Sequence, residues 1–160
     1  MQSFEVGTDL RKLASDGYPA HLLIGCDIRQ TFIDQGYQLF NDSPPSCPVK
    51  FIVSDIFELR LTKNVVTNSA DITSLEDLRG RLSIIYAGAL FHLFNEETQF
   101  AIALRLILLL RRPQGSDQPK KVILFGRHQG LEEEGMIPDW MGRYVPLALE
   151  NTSVRIFSDL

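Results

Sequence analysis

Twice in its first third the chain runs a short apolar stretch into an aspartate: His21-Leu22-Leu23-Ile24-Gly25-Cys26-Asp27, then Lys50-Phe51-Ile52-Val53-Ser54-Asp55. The first predicts a buried strand over Leu22 to Cys26, the second a strand over Phe51 to Ser54. Between them Thr31 to Phe40 places Phe32, Ile33, Tyr37 and Phe40 on one side at near-helical spacing, and Asn41-Asp42-Ser43-Pro44-Pro45 ends that helix. Short apolar strands alternating with amphipathic helices specify a parallel sheet covered on both faces. In such sheets ligands gather outside the carboxyl ends of the strands. Two carboxylates delivered there suit a ribose diol and the edge or amine of an adenine.

The rest of the chain continues the alternation. Ser3 to Val6 reads as the end of a strand, and Asp9 to Ala14 as a short helix stopped at Gly17. Ser74 with Asp77 makes a capping box for a helix over Leu75 to Leu78. Leu82 to Tyr86 is a third clear strand. Asn95 caps a helix with Glu96 and Glu97 in its first turn, running to Arg111-Arg112 and stopped by Pro113. Val122 to Phe125 is a further strand. Residues 131–160 are poorly defined by pattern, apart from a final strand over Val154 to Phe157. One domain, 1–160, is the simplest organisation.

Bulk properties narrow the function classes. The chain has 160 residues and 44% hydrophobic content, enough for a real core. Its net charge of −4, without a basic cluster, argues against a nucleic-acid partner. The apolar run Phe100 to Leu110 is interrupted by Arg105 and is too short to span a bilayer. No secretory signal opens the chain, and Cys26 and Cys47 fit no metal or redox spacing, so reduced thiols in the cytoplasm are expected. His21, His92 and His128 form no local metal-ligand motif.

Each candidate residue carries two readings. Asp27 follows Gly7 at the offset of a ribose-binding acid, or it is a helix cap or strand-end turn. Asp55 meets an adenine amine with Ile56 and Phe57 against the ring, or it too is a cap or turn. His92, in Ala89-Leu90-Phe91-His92-Leu93-Phe94, is a general base near the same sheet edge, or a half-buried histidine among aromatics. Cys26 reads as an inert core thiol. Trp140 and Met141 line a pocket or simply pack a loop, and Arg127 and His128 follow the strand that ends at Phe125.

With these residues in hand, the chain resembles the class I S-adenosylmethionine-dependent methyltransferases, in particular fungal enzymes of meroterpenoid and polyketide metabolism. The resemblance is carried, in order, by GTDLRKLASDGYP, LLIGCDIRQTFIDQGYQLF, KFIVSDIFEL, LSIIYAGALFHLFNEETQFAIALRLILLLRRPQGS and KKVILFGRHQG, over roughly residues 4 to 130. It implies a Rossmann-like, mostly parallel sheet with helices on both faces. It places Asp27 on the cofactor ribose, with Gly7 and Ile28 beside it, and Asp55 with Ile56 at the adenine. It puts the block around His92 near the methyl-transfer point. The glycine loop D/E-x-G-x-G-x-G is reduced here to Glu5-Val6-Gly7-Thr8, so the resemblance also implies a chain shortened at both ends.

The function expected on this basis is methyl transfer from S-adenosyl-L-methionine to a hydroxyl or carboxyl of a small molecule, by a cytoplasmic enzyme free to form a homo-oligomer. The rival expectation is a non-catalytic remnant that binds or stabilises a partner. A nicotinamide-dependent reductase is disfavoured, because both G-x-G-x-x-G and a Tyr-x-x-x-Lys pair are missing.

Overall fold

The structure, a computed structural model, describes residues 7–44, 46–62, 71–112 and 121–127, and the backbone of 135–138 and 144–147. Helix α1 (Thr8–Ser15) starts from Gly7, whose φ of 77° is left-handed. A second left-handed glycine, Gly17, returns its N–H to Ala14 O at 3.1 Å and stops the helix where the sequence expects it.

Strand β1 (Ile24–Asp27), helix α2 (Gln30–Phe40) and strand β2 (Lys50–Val53) form a βαβ unit. The strands are parallel, with Ile24 opposite Lys50 and Asp27 opposite Val53. β1 begins two residues later than the apolar pattern suggests. Pro19 opens a 3₁₀ turn over Ala20–Leu22 in which Leu22 N–H is committed to Pro19 O at 2.9 Å, so Leu22 stays outside the ladder and 62% exposed. On α2 the buried residues are Ile33 and Gly36, with the Tyr37 ring set edge-on to Phe51 at 5.9 Å.

Strands β3 (Ile84–Tyr86) and β4 (Ile123–Phe125) form a second parallel pair, joined in sequence by helix α3 (Glu96–Leu109). Asn95 caps α3 by accepting Thr98 N–H at 2.9 Å, as its position before two acids requires. Ile102, Leu106 and Leu109 recur at helical spacing and are buried, whereas Phe100 is exposed. The helix ends before Arg111 because the backbone there joins a strand-like segment instead: Leu82 bridges Leu110, and Arg111 N–H donates to Leu82 O at 2.8 Å. The expected helix over Leu75–Leu78 is a single 3₁₀ turn, with Ser74 N–H and Oγ–H both reaching Asp77 Oδ2 at 3.0 Å.

Ile52 of β2, Ile85 of β3, Ile102 and Leu106 of α3, and Leu59 and Leu75 from the turns belong to one apolar cluster. Both parallel pairs therefore share a core, and the α/β class expected from the sequence is the one observed. The ladders differ from the single sheet expected: the described strands form three two-stranded sheets. The expected strands at Ser3–Val6 and Val154–Phe157, and Pro113, lie outside the described residues.

The third sheet pairs β5 (Gly135–Pro138) with β6 (Tyr144–Leu147) antiparallel. The sequence does not announce it, because Pro138 and Pro146 argue against strands. The register puts both prolines in alternate pairs of the same kind, so a ladder bonded through the other two pairs needs no N–H from either.

Close backbone contact fixes the β3–β4 exit. A Cβ on Gly126 would lie 2.3 Å from Ala87 O, which is backbone and cannot swing away. Gly126→Ala is therefore expected to cost about 1–3 kcal/mol, the range for overpacking, read as a lower urea midpoint at unchanged slope. No helix among the described residues is long and apolar enough to cross a membrane.

Candidate functional site

The carboxyl ends of β1 and β2 lie side by side, and each carries its aspartate in the same local geometry. Asp27 Oδ1 accepts Arg29 N–H at 2.7 Å, and Asp55 Oδ1 accepts Phe57 N–H at 2.9 Å. These are turns in which an aspartate holds the backbone two residues on. The turn reading of both residues is thus realised, and it does not compete with ligand binding. One oxygen is fixed by the turn, and the other has no hydrogen-bond partner among the described residues. Ser54 N–H donates to Asp27 O at 3.2 Å, so the ladder persists one residue past the strands and holds the two turns in register.

Ile28 is 60% exposed beside Asp27, while Ile56 is partly buried against the apolar cluster and Phe57 is exposed. This is an apolar surface next to two carboxylates, the chemical complement of a flat ring that carries hydroxyl and amine donors, such as an adenosine group. Cys26 is exposed rather than a core residue, because its side chain lies on the short outer ladder and not in the cluster. Its thiol donates to Ser54 O at 3.5 Å. The residue as a whole is exposed but its sulfur is desolvated by its neighbours; that desolvation, then Asp27 and then Asp55, push the thiol up to about 11, so it is uncharged at neutral pH.

Gly7 is required where it stands. A Cβ there would lie 2.4 Å from the Phe51 ring, and a Cβ on Gly25 would lie 2.3 Å from the same ring. Phe51 therefore packs over two glycines, bringing the start of α1 onto the β1–β2 ladder. Phe51 was visible in the sequence only as an apolar residue of a strand, whereas Phe57 was expected beside Ile56 against an adenine ring. Nothing in the pattern marks the ring of Phe51 as the seat of Gly7.

His92 lies in the 3₁₀ turn Phe91–Leu93 and is buried, 7% exposed, rather than displayed at the sheet edge. The turn is reached through Ala89, whose φ of 50° is left-handed, and β6 packs near it. Arg127 is described and exposed; His128, Trp140 and Met141 lie outside the described residues. Among the described residues no group of three His, Cys, Asp or Glu side chains could hold a metal ion.

The chain is similar to fungal methyltransferases. It is 34% identical over 125 residues to the O-methyltransferase phiE of a fungal species, covering 78% of this chain and 36% of that protein. It is 34% identical over 110 residues to the methyltransferase adrK of Penicillium rubens, covering 69% of this chain and 35% of that one. A third relative, the asnovolin E/chermesin D methyltransferase nvfJ of Aspergillus novofumigatus, is 32% identical over 110 residues, 69% of this chain and 35% of its own length. The chain thus spans about a third of the length of the curated relatives it matches. No protein-family profile matches the chain, and no solved structure matches it.

Proposed function

From the premise that this chain is, over two thirds or more of its own length, a homologue of fungal secondary-metabolite methyltransferases, we propose that it is an S-adenosyl-L-methionine-dependent O-methyltransferase of Rossmann-like fold acting on a small molecule. The observation that carries this reading is the pair of turn-held aspartates at adjacent parallel strand ends. Asp27 takes the ribose hydroxyls, with Gly7 and Ile28 beside it. Asp55 takes the adenine amine, and Ile56 lines the ring. S-adenosylmethionine would supply an electrophilic methyl on a sulfonium. The chain's task is to hold a hydroxyl or carboxyl oxygen in line with that carbon, and positioning supplies much of the rate. With a hydroxyl acceptor, His92 receives the proton lost as the new oxygen–carbon bond forms; with a carboxylate acceptor no base is needed. Two unpaired cysteines suit a reducing, cytoplasmic setting.

Titration calorimetry with S-adenosylhomocysteine, with NAD as control, tests this reading. Binding of the first and not the second is expected. Asp27→Ala should weaken it by about 1.5–3 kcal/mol, the range for hydrogen bonds to a charged group. Equal affinity in wild type and variant would remove Asp27 from the site. No binding by the wild type would leave the chain a non-catalytic relative.

A further inference from the structure

We infer that Arg105 is a positioning residue that clamps the turn carrying Asp55, an inference that rests on the cofactor reading above only for its effect on binding. Arg105 is the one charged residue inside the apolar run of α3, flanked on the helix by the buried Ile102, Leu106 and Leu109. It is half-buried. One Nη donates to Ala101 O at 3.0 Å, but its Nε is enclosed and has no hydrogen-bond partner among the described residues. An enclosed donor without an acceptor costs stability, so the residue needs another explanation than the helix itself.

The guanidinium carbon stands 5.1 Å from the centre of the Phe57 ring. Phe57 in turn leans edge-on against Phe94 at 6.4 Å. Its backbone N–H is the donor that holds Asp55 Oδ1 at 2.9 Å. The turn Ile56–Glu58 is a single 3₁₀ turn, closed by Glu58 N–H to Asp55 O at 3.1 Å and Leu59 N–H to Ile56 O at 3.3 Å. So short a turn has little rigidity of its own. Arg105 fixes the ring, the ring fixes the amide, and the amide fixes the carboxylate. The Asp27 turn is built alike but locally: its donor, Arg29, stacks on Phe32 at 5.1 Å within the start of α2. At Asp55 the cation comes from α3, so the orientation of that carboxylate depends on how α3 packs.

The test uses the full chain and three variants, Arg105→Met, Phe57→Leu and the double variant. Methionine keeps the length of the side chain and removes the enclosed cation. A purely structural arginine would lower the melting temperature when replaced. A clamp leaves it unchanged or higher, because methionine removes the enclosed Nε–H that has no acceptor among the described residues.

Amide hydrogen exchange is expected to quicken about tenfold at Phe57 and Glu58 in Arg105→Met, with Arg29 unchanged. The Kd for S-adenosylhomocysteine should rise about tenfold, and the double variant should show no more than the larger single effect. Phe57→Leu changes an exposed residue, so it keeps the test open if Arg105→Met fails to fold. Unchanged exchange at Glu58 in both single variants, or effects that add in the double variant, would overturn the clamp. Quickened exchange in a chain whose wild type takes up no S-adenosylhomocysteine would sustain the clamp and overturn the cofactor reading.

Discussion

Asp42→Ala is expected to destabilise the fold by about 2 kcal/mol, within the range for hydrogen bonds to a charged group and below that for one partner of a fully buried ion pair. Asp42 receives two bonds from Arg11: Nε–H to Oδ2 at 2.8 Å and Nη–H to Oδ1 at 2.9 Å. The two side chains are 8% and 16% exposed. The rings of Tyr37, Phe40 and Phe51 lie around the guanidinium, their centres 5.5, 4.8 and 4.7 Å from its carbon. Losing the carboxylate removes two charge-assisted bonds from a cation held among three aromatic faces. The loss stays below the fully buried range because the pair is only part-buried. Arg11→Met with Asp42→Leu should recover most of the loss, since no charge then remains to be solvated.

The same pair gives a pH dependence of definite sign. The hydrogen bond from Arg11 holds Asp42 below its ordinary carboxylate value, against the opposing effect of burial. A carboxylate depressed in the folded state stabilises fully above its unfolded value near 4, and that contribution is lost as pH falls through the folded value. The gap between wild type and Asp42→Ala in urea melts should therefore be full at pH 7 and narrow below pH 4. A gap independent of pH would assign the effect to packing alone.

His92→Gln is expected to lower kcat about a hundredfold on a hydroxyl acceptor, the scale of general-base catalysis, with the acid limb of the pH–rate profile lost. The same variant should leave kcat nearly unchanged on a carboxylate acceptor. Because His92 is buried, thermal melts must accompany the kinetics. A kcat that holds per folded molecule while the melting temperature falls would make His92 a packing residue only.

Much of this architecture could be read along the chain because the physics involved is local. The Asn95 cap, the Ser74–Asp77 pair and the Gly17 stop each bond within four residues, and each stands where its residue type asked for it. The order of strands and helices follows from apolar periodicity, which depends only on near neighbours in sequence. The two strand-end acids were legible for the same reason. Each holds a backbone N–H only two residues on.

What the sequence by itself determined, then, is the α/β alternation and the delivery of Asp27 and Asp55 to the ends of adjacent strands. Tertiary structure alone decided the rest. Arg11 and Asp42 are 31 positions apart, and Arg105 meets Phe57 from a different element. The burial of His92, the exposure of Cys26 and Phe100, and the packing of Phe51 over Gly7 and Gly25 likewise depend on which surfaces meet. Ion pairs, cation–ring contacts and steric fit act over a few ångströms in space and carry no periodicity along the chain. Only folding brings their partners within range.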